Sequence, residues 1–180
     1  MPSGRSRHGG SHDRADAKKV PGKADPSRVA AGTYKADTAH TPILFSVNHL
    51  GFNMYHGIFG DASGTLILDP AKPSAAKVDI EIPIAGITTT SAKLTEHLKS
   101  ADFFDAAKFP TWRFQSTAGQ ASGTSATITG NLTLKGVIKP VTLNAKFTGA
   151  GKGPMNQLET VAFEATATIK CSDFGVSWKP

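Results

Sequence analysis

From Gly32 onward, apolar and polar residues alternate with a period of two, the mark of strands that bury one face and wet the other. The clearest run is Val78-Asp79-Ile80-Glu81-Ile82-Pro83-Ile84. Ile43, Phe45 and Val47 alternate in the same way, and His49 continues their series. Leu66 and Leu68 follow Gly64. Trp112, Phe114 and Ser116 alternate against Arg113, Gln115 and Thr117, and Ile128, Gly130, Leu132 and Leu134 against Thr129, Asn131 and Thr133. Val141, Leu143, Ala145 and Phe147 alternate with Thr142, Asn144 and Lys146, and Val161, Phe163, Ala165, Ala167 and Ile169 with Glu164, Thr166 and Thr168. The pattern predicts about seven strands, most of them separated by Gly, Pro or Asn. One segment differs: Ser91 to Ser100 is rich in helix formers, with Leu94 and Leu98 four apart and Ser91 placed to cap its start. A run of antiparallel strands with one helical insertion closes into a barrel or stacks as a sandwich, so the expected class is all-β.

Residues 1–31 carry no such pattern. Their large apolar side chains are Met1, Val20 and Val29 alone, too few to offset the entropy of ordering, so an unstructured tail is predicted ahead of a folded body over residues 32–180. The segment ends in small residues, Val29-Ala30-Ala31, but lacks the apolar run of an export signal. The formal charge of +6 sits mainly here: residues 1–30 hold seven Lys/Arg against three Asp, leaving 13 basic and 11 acidic groups on the body. A nearly balanced body without a basic stripe set among aromatics argues against nucleic acid as a partner. No stretch of about 18 apolar residues occurs, so no membrane-spanning helix is expected. The lone Cys171 excludes an internal disulfide and a multi-cysteine zinc cage.

Catalytic chemistry finds little support. His40, His49, His56 and His97 lie in the body with Asp37, Asp102 and Asp105, but no pair has a ligand spacing such as His-x-x-x-His, so no metal is expected. No Gly-x-Ser-x-Gly elbow and no glycine-rich phosphate loop occurs, so neither a nucleophile nor a cofactor is called for. Cys171 has no adjacent His and reads as an inert small side chain. Asp102 and Asp105 flank Phe103 and Phe104, and read as a turn that plugs two rings into the interior.

The apolar inventory says more. Inward-periodic aromatics would fill a sandwich core, but in a barrel of about eight strands they can line a cavity for one ligand. Gly130, Ala145, Ala165 and Ala167 leave space on the same face.

Particular motifs carry a resemblance. Asp37-x-x-His40-Thr41, Phe45-x-Val47-x-His49-Leu50-Gly51, Gly57-x-Phe59, Asp69-Pro70 and Thr90 come first. His97-Leu98-Lys99-Ser100-Ala101-Asp102-Phe103-Phe104-Asp105, Phe109-Pro110 and Phe114-x-Ser116-Thr117 follow. Gly130-x-Leu132-Thr133-Leu134-x-Gly136-Val137-x-Lys139-Pro140-Val141 and Ser172-Asp173-Phe174-Gly175 complete the series. In order and spacing, residues 32–178 resemble the YceI-like family of polyisoprenoid-binding proteins. The resemblance implies a lipocalin-like antiparallel β-barrel of eight strands, with an apolar interior that binds, stores or transports a long-chain isoprenoid or similar lipid without catalysis, in the bacterial periplasm. The expected ligand-binding residues are then Phe45, Val47, His49, Phe59, Leu68, Ile80 and Ile82; Phe103 and Phe104 after the helix; and Trp112, Phe114, Leu132, Leu143 and Phe147 beyond it. The family pattern continues past Trp178-Lys179-Pro180 into a last strand, so the barrel is expected to lack that strand and to pair through its open edge with a second copy. Two other readings stay open: an enzyme acting on a small amphiphile with His49 as base, and a stress-induced structural module without a fixed ligand.

Overall fold

The computed structural model describes residues 20–177. Ten strands and one α-helix are found among them: β1 (Gly32–Lys35), β2 (Ile43–His49), β3 (Asn53–Phe59), β4 (Ser63–Leu68), β5 (Lys77–Pro83), β6 (Ile87–Thr89), α1 (Ala92–Lys99), β7 (Thr111–Ser122), β8 (Ser125–Leu134), β9 (Val137–Lys152) and β10 (Glu159–Thr166). Seven of the strands form one antiparallel sheet in the order β1-β4-β5-β7-β8-β9-β10, which curls into a nearly closed barrel. The other three form a small sheet in the order β2-β3-β6.

Four of the six pairings in this sheet join neighbours in sequence; β1 pairs with β4 across the small sheet's β2 and β3, and β5 pairs with β7 across β6 and α1. Lys135 (φ 50°) and Gly136 (φ 77°) are successive left-handed residues, and they close the two-residue turn that pairs Leu134 with Val137. Register shifts at Ser116/Ala118 on β7 and at Ala162/Phe163 on β10 add the local bend that lets a sheet curl. The helical insertion is where the sequence predicts it. Ser91 Oγ accepts the Leu94 amide at 3.3 Å, and Thr95 Oγ1 accepts the Thr89 amide at 3.0 Å, tying α1 to β6. After α1, the Phe104 amide donates to Leu98 O at 3.1 Å and the Asp105 amide to Ser100 O at 2.8 Å, so the chain folds back and drives Phe104 inward.

The structure differs from the sequence expectation in three respects. It has ten strands rather than seven, adding β1, β3 and β6. Their signals are weak for physical reasons: β1 and β6 are too short to show alternation, and β3 carries apolar residues on both faces at Met54, Tyr55, Ile58 and Phe59. β10 ends at Thr166, and Cys171–Phe174 is a 3-10 turn that buries Phe174 to 2% exposure. The third difference concerns the N-terminal segment. Residues 1–19, and Trp178 to Pro180, lie outside the described residues. Within the expected tail, however, Lys23 exchanges backbone hydrogen bonds with Ala150 at 3.1 and 2.8 Å. Pairing of β9 with β8 stops at Ser125↔Lys146, so β9 runs on with a free edge that an extended segment can take. Glycines let it approach: a β-carbon on Gly151 would collide with the Pro21 carbonyl. Asp25 then caps the 3-10 turn Pro26–Arg28 by accepting the Ser27 amide.

Candidate functional site: the apolar inner face

Directly opposed residues of neighbouring strands share a face of the sheet. The registers therefore trace one surface across the barrel wall: Leu66 beside Val78, Ile80 beside Phe114, Ile82 beside Trp112, Phe114 beside Leu132, Gly130 beside Val141, Ile128 beside Leu143, Ala126 beside Ala145, and Phe147 beside Phe163. Apart from Gly130 every one of these residues is apolar. From Leu134 to Ala126 on β8 the surface runs about 26 Å at the usual strand rise of ~3.3 Å per residue.

One end of this surface is filled with rings. Phe59 lies 4.8 Å from Trp112, 5.3 Å from Phe45 and 6.2 Å from Phe104, and Phe104 stands edge-on to Trp112 at 4.9 Å. Two glycines make room. The Phe45 ring covers Gly57, its cross-strand partner, and the Phe114 ring covers Gly130; a β-carbon at either position would strike the ring. Around them Ile82, Ile84, Ile87, Leu132, Leu134, Phe174 and Val176 complete the buried cluster. Trp112 Nε1 is buried there with no hydrogen-bond partner, the one such side-chain atom among the described residues. A buried donor left unpaired costs about 1–3 kcal/mol.

The other end is made of small residues. Ala121, Ala126 and Ala145 lie side by side and face an open depression of about 500 Å³, bordered by Gln120, Thr127, Asn144 and Lys146. A second depression of about 420 Å³, at Pro21, Arg28, Gly151, Lys152 and Glu159, lies where the N-terminal segment crosses β9 and has charged walls. The first adjoins the apolar surface and the second does not.

The expected site residues fall into three groups. Phe59, Ile82, Phe104, Trp112, Phe114 and Leu132 are buried together in the ring-filled end, and Phe45, Ile80, Phe103 and Leu143 pack against them partly buried. Leu68 and Phe147 are buried on the same wall but outside that cluster, Phe147 edge-on to Phe163 at 5.6 Å. Val47 and His49 follow Phe45 along β2 but stand in solvent, Val47 at 44% exposure. Sequence reasoning missed Lys139. It pairs with Leu132, so it faces the same side as Leu132 and Val141, yet it is exposed. Extending the Val141 alternation back by two and four residues, to Lys139 and Val137, would have found it.

The polar groups do not converge. His40 Nδ1 meets Asp37 at 2.9 Å and His97 Nε2 meets Asp102 at 3.3 Å, both pairs near the surface, and no three metal-ligating side chains gather among the described residues. On the outer face, Arg113 forks onto Asp79 at 2.9 and 2.7 Å with Gln115 beside them, holding the Asp79 carboxyl below its ordinary value. Burial pushes the Cys171 thiol up, which disfavours its thiolate.

Comparison with known proteins places this geometry. Residues 34–180 match the YceI-like domain. The chain is 43% identical over 151 residues to a UPF0312 protein of Pseudomonas paraeruginosa, spanning 83% of this chain and 78% of that one. It is 40% identical over 152 residues to a UPF0312 protein of Pseudomonas putida, spanning 83% and 79%. Among solved structures, the YceI protein of Campylobacter jejuni superposes with a TM-score of 0.62 at 35% identity, over 79% of this chain and 84% of that one. BcnA of Burkholderia cenocepacia superposes with a TM-score of 0.66 at 26% identity, over 75% and 81%.

Proposed function

The chain belongs to the YceI-like domain family, and we propose on that premise that it is a non-catalytic carrier of a long-chain isoprenoid or similar lipid, working in the bacterial periplasm. One observation supports this above others: the largely apolar face, interrupted by Ser116, that runs from the ring cluster at Phe59 and Trp112 to the alanines at 121, 126 and 145. Each lipid methylene removed from water contributes about 0.8 kcal/mol, so a chain laid along such a face gains enough to outweigh the cost of ordering it. The rings at the filled end part to admit the chain, and Trp112 Nε1 then gains an acceptor if the ligand carries oxygen at that depth. The alanine end leaves room for the remainder. Lys139, exposed at the border of the face beside Leu132, is placed to meet an anionic head group.

Titration of a long-chain prenol into the protein, followed by the change in tryptophan emission, tests the reading. The wild type should bind, and Phe45→Ala should bind at least about tenfold more weakly, because it removes a large apolar contact worth roughly 1.5–3 kcal/mol. A folded Phe45→Ala variant with unchanged affinity would remove Phe45 from the lining. Absence of prenol binding by the wild type would refute the carrier function.

A further inference from the structure

The β2–β3 hairpin ends in an apolar tip that ligand carriage does not use. Phe52 is 87% exposed and Leu50 71%, with Leu44 and Met54 also in solvent. The backbone of the tip is held firmly: the Phe52 amide donates to His49 O at 3.0 Å and the Gly51 amide to Asn48 Oδ1 at 2.6 Å. Leu50 (φ 54°) and Gly51 (φ 82°) are successive left-handed residues. That conformation is disfavoured for a residue with a β-carbon, and Asn, Asp or Gly usually takes the place in tight hairpins. Leucine here bears the strain and exposes its side chain as well.

The charge pattern points to the partner. No Asp, Glu, Lys or Arg occurs from Pro42 to Gly60, in a chain that is 19% charged. β2 is also an edge strand of its sheet, and exposed edges are normally guarded by charged side chains, lysine above all. A protein-binding hairpin can keep a charged rim. A hairpin that enters the boundary between head groups and acyl chains cannot carry fixed charge without a heavy cost.

We infer that the tip of the β2–β3 hairpin docks on a lipid bilayer, placing Leu50 and Phe52 among the acyl chains. The purpose of this docking, to take up or deliver the carried lipid at the membrane, rests on the carrier function; the docking itself does not. The test is flotation with vesicles of pure phosphatidylcholine, free of any prenyl lipid. The wild type should float with the vesicles and be insensitive to added salt. The Leu50→Ser/Phe52→Ser double variant should partition roughly tenfold to a hundredfold less while keeping its melting temperature and its prenol affinity, since both side chains are already in water. In a Phe52→Trp variant the added emission should shift to the blue on vesicles. Equal flotation of the double variant, or unshifted Phe52→Trp emission, would overturn the docking. So would binding that requires anionic lipid and vanishes with salt, which would assign it to the basic residues before Val29. Prenol binding lost in the wild type with flotation intact would refute the carrier function and support the docking.

Discussion

Phe114 lies over Gly130 because nothing else would fit beneath it: a β-carbon there would also press on the Gln115 carbonyl. Gly130→Ala should therefore destabilise the protein by about 1–3 kcal/mol, the usual range for overpacking a core, as a lowered denaturant midpoint. A loss below about 0.5 kcal/mol would mean that the ring has space to shift. Trp112 presents the opposite balance. Truncating a buried aromatic to alanine typically costs about 3–5 kcal/mol, but Trp112→Phe keeps most of the buried surface and removes an unpaired donor that itself costs about 1–3 kcal/mol. The expected loss in the ligand-free protein is under about 1 kcal/mol by the same denaturation measurement. A much larger loss would show that Nε1 has an acceptor. Cys171 tests burial chemically. With its thiol pushed up, the native protein should react with a maleimide at pH 8 far more slowly than the protein unfolded in guanidinium; equal rates would place Cys171 at the surface.

β5 and β7 are joined on the outer face by the Asp79–Arg113 pair. The folded Asp79 value is depressed, so its contribution is complete above the ordinary carboxylate value near ~3.9 and is lost as pH falls through the lower folded value. Both side chains are more than a third exposed, which keeps the effect small. Asp79→Asn should be less stable than the wild type at neutral pH, and the difference should close in acid; a gap that persists at the acid end would contradict the pairing. β9 holds the N-terminal segment in a different way. Gly151→Ala should displace residues 21–23, seen as faster hydrogen exchange at the Lys23 and Ala150 amides, with the barrel intact. These two elements also show what the sequence discloses. β5 is legible because its alternation is strict and its outer residues are charged. β3 is not, because apolar residues on both faces erase the period. The start of β9 is hidden by Lys139 on an otherwise apolar side. Docking of Lys23 on β9 is a backbone event across glycines, and it leaves no side-chain pattern to read. The ring-filled end of the candidate site was legible residue by residue from Phe59 to Leu132; the exposure of Val47 and His49 was not, because period two tells which side a residue faces and not where along the strand the cover ends.

The seven-stranded sheet has β1 and β10 at the ends of its order, and among the described residues neither has a second strand partner. Unpaired edges template association, and Phe163 on β10 is 43% exposed. Light scattering should accordingly show mass rising with concentration. A constant monomer mass, with β10 amides exchanging as slowly as those of β8, would show that both edges are protected. The apolar face between those edges is what a carried lipid would occupy, and native mass spectrometry of the protein incubated with a long-chain prenol probes it. A single added mass equal to one prenol, diminished in Phe45→Ala, is the expected result. Unshifted protein mass at saturating prenol, or multiple adducts equally present in both proteins, would contradict it.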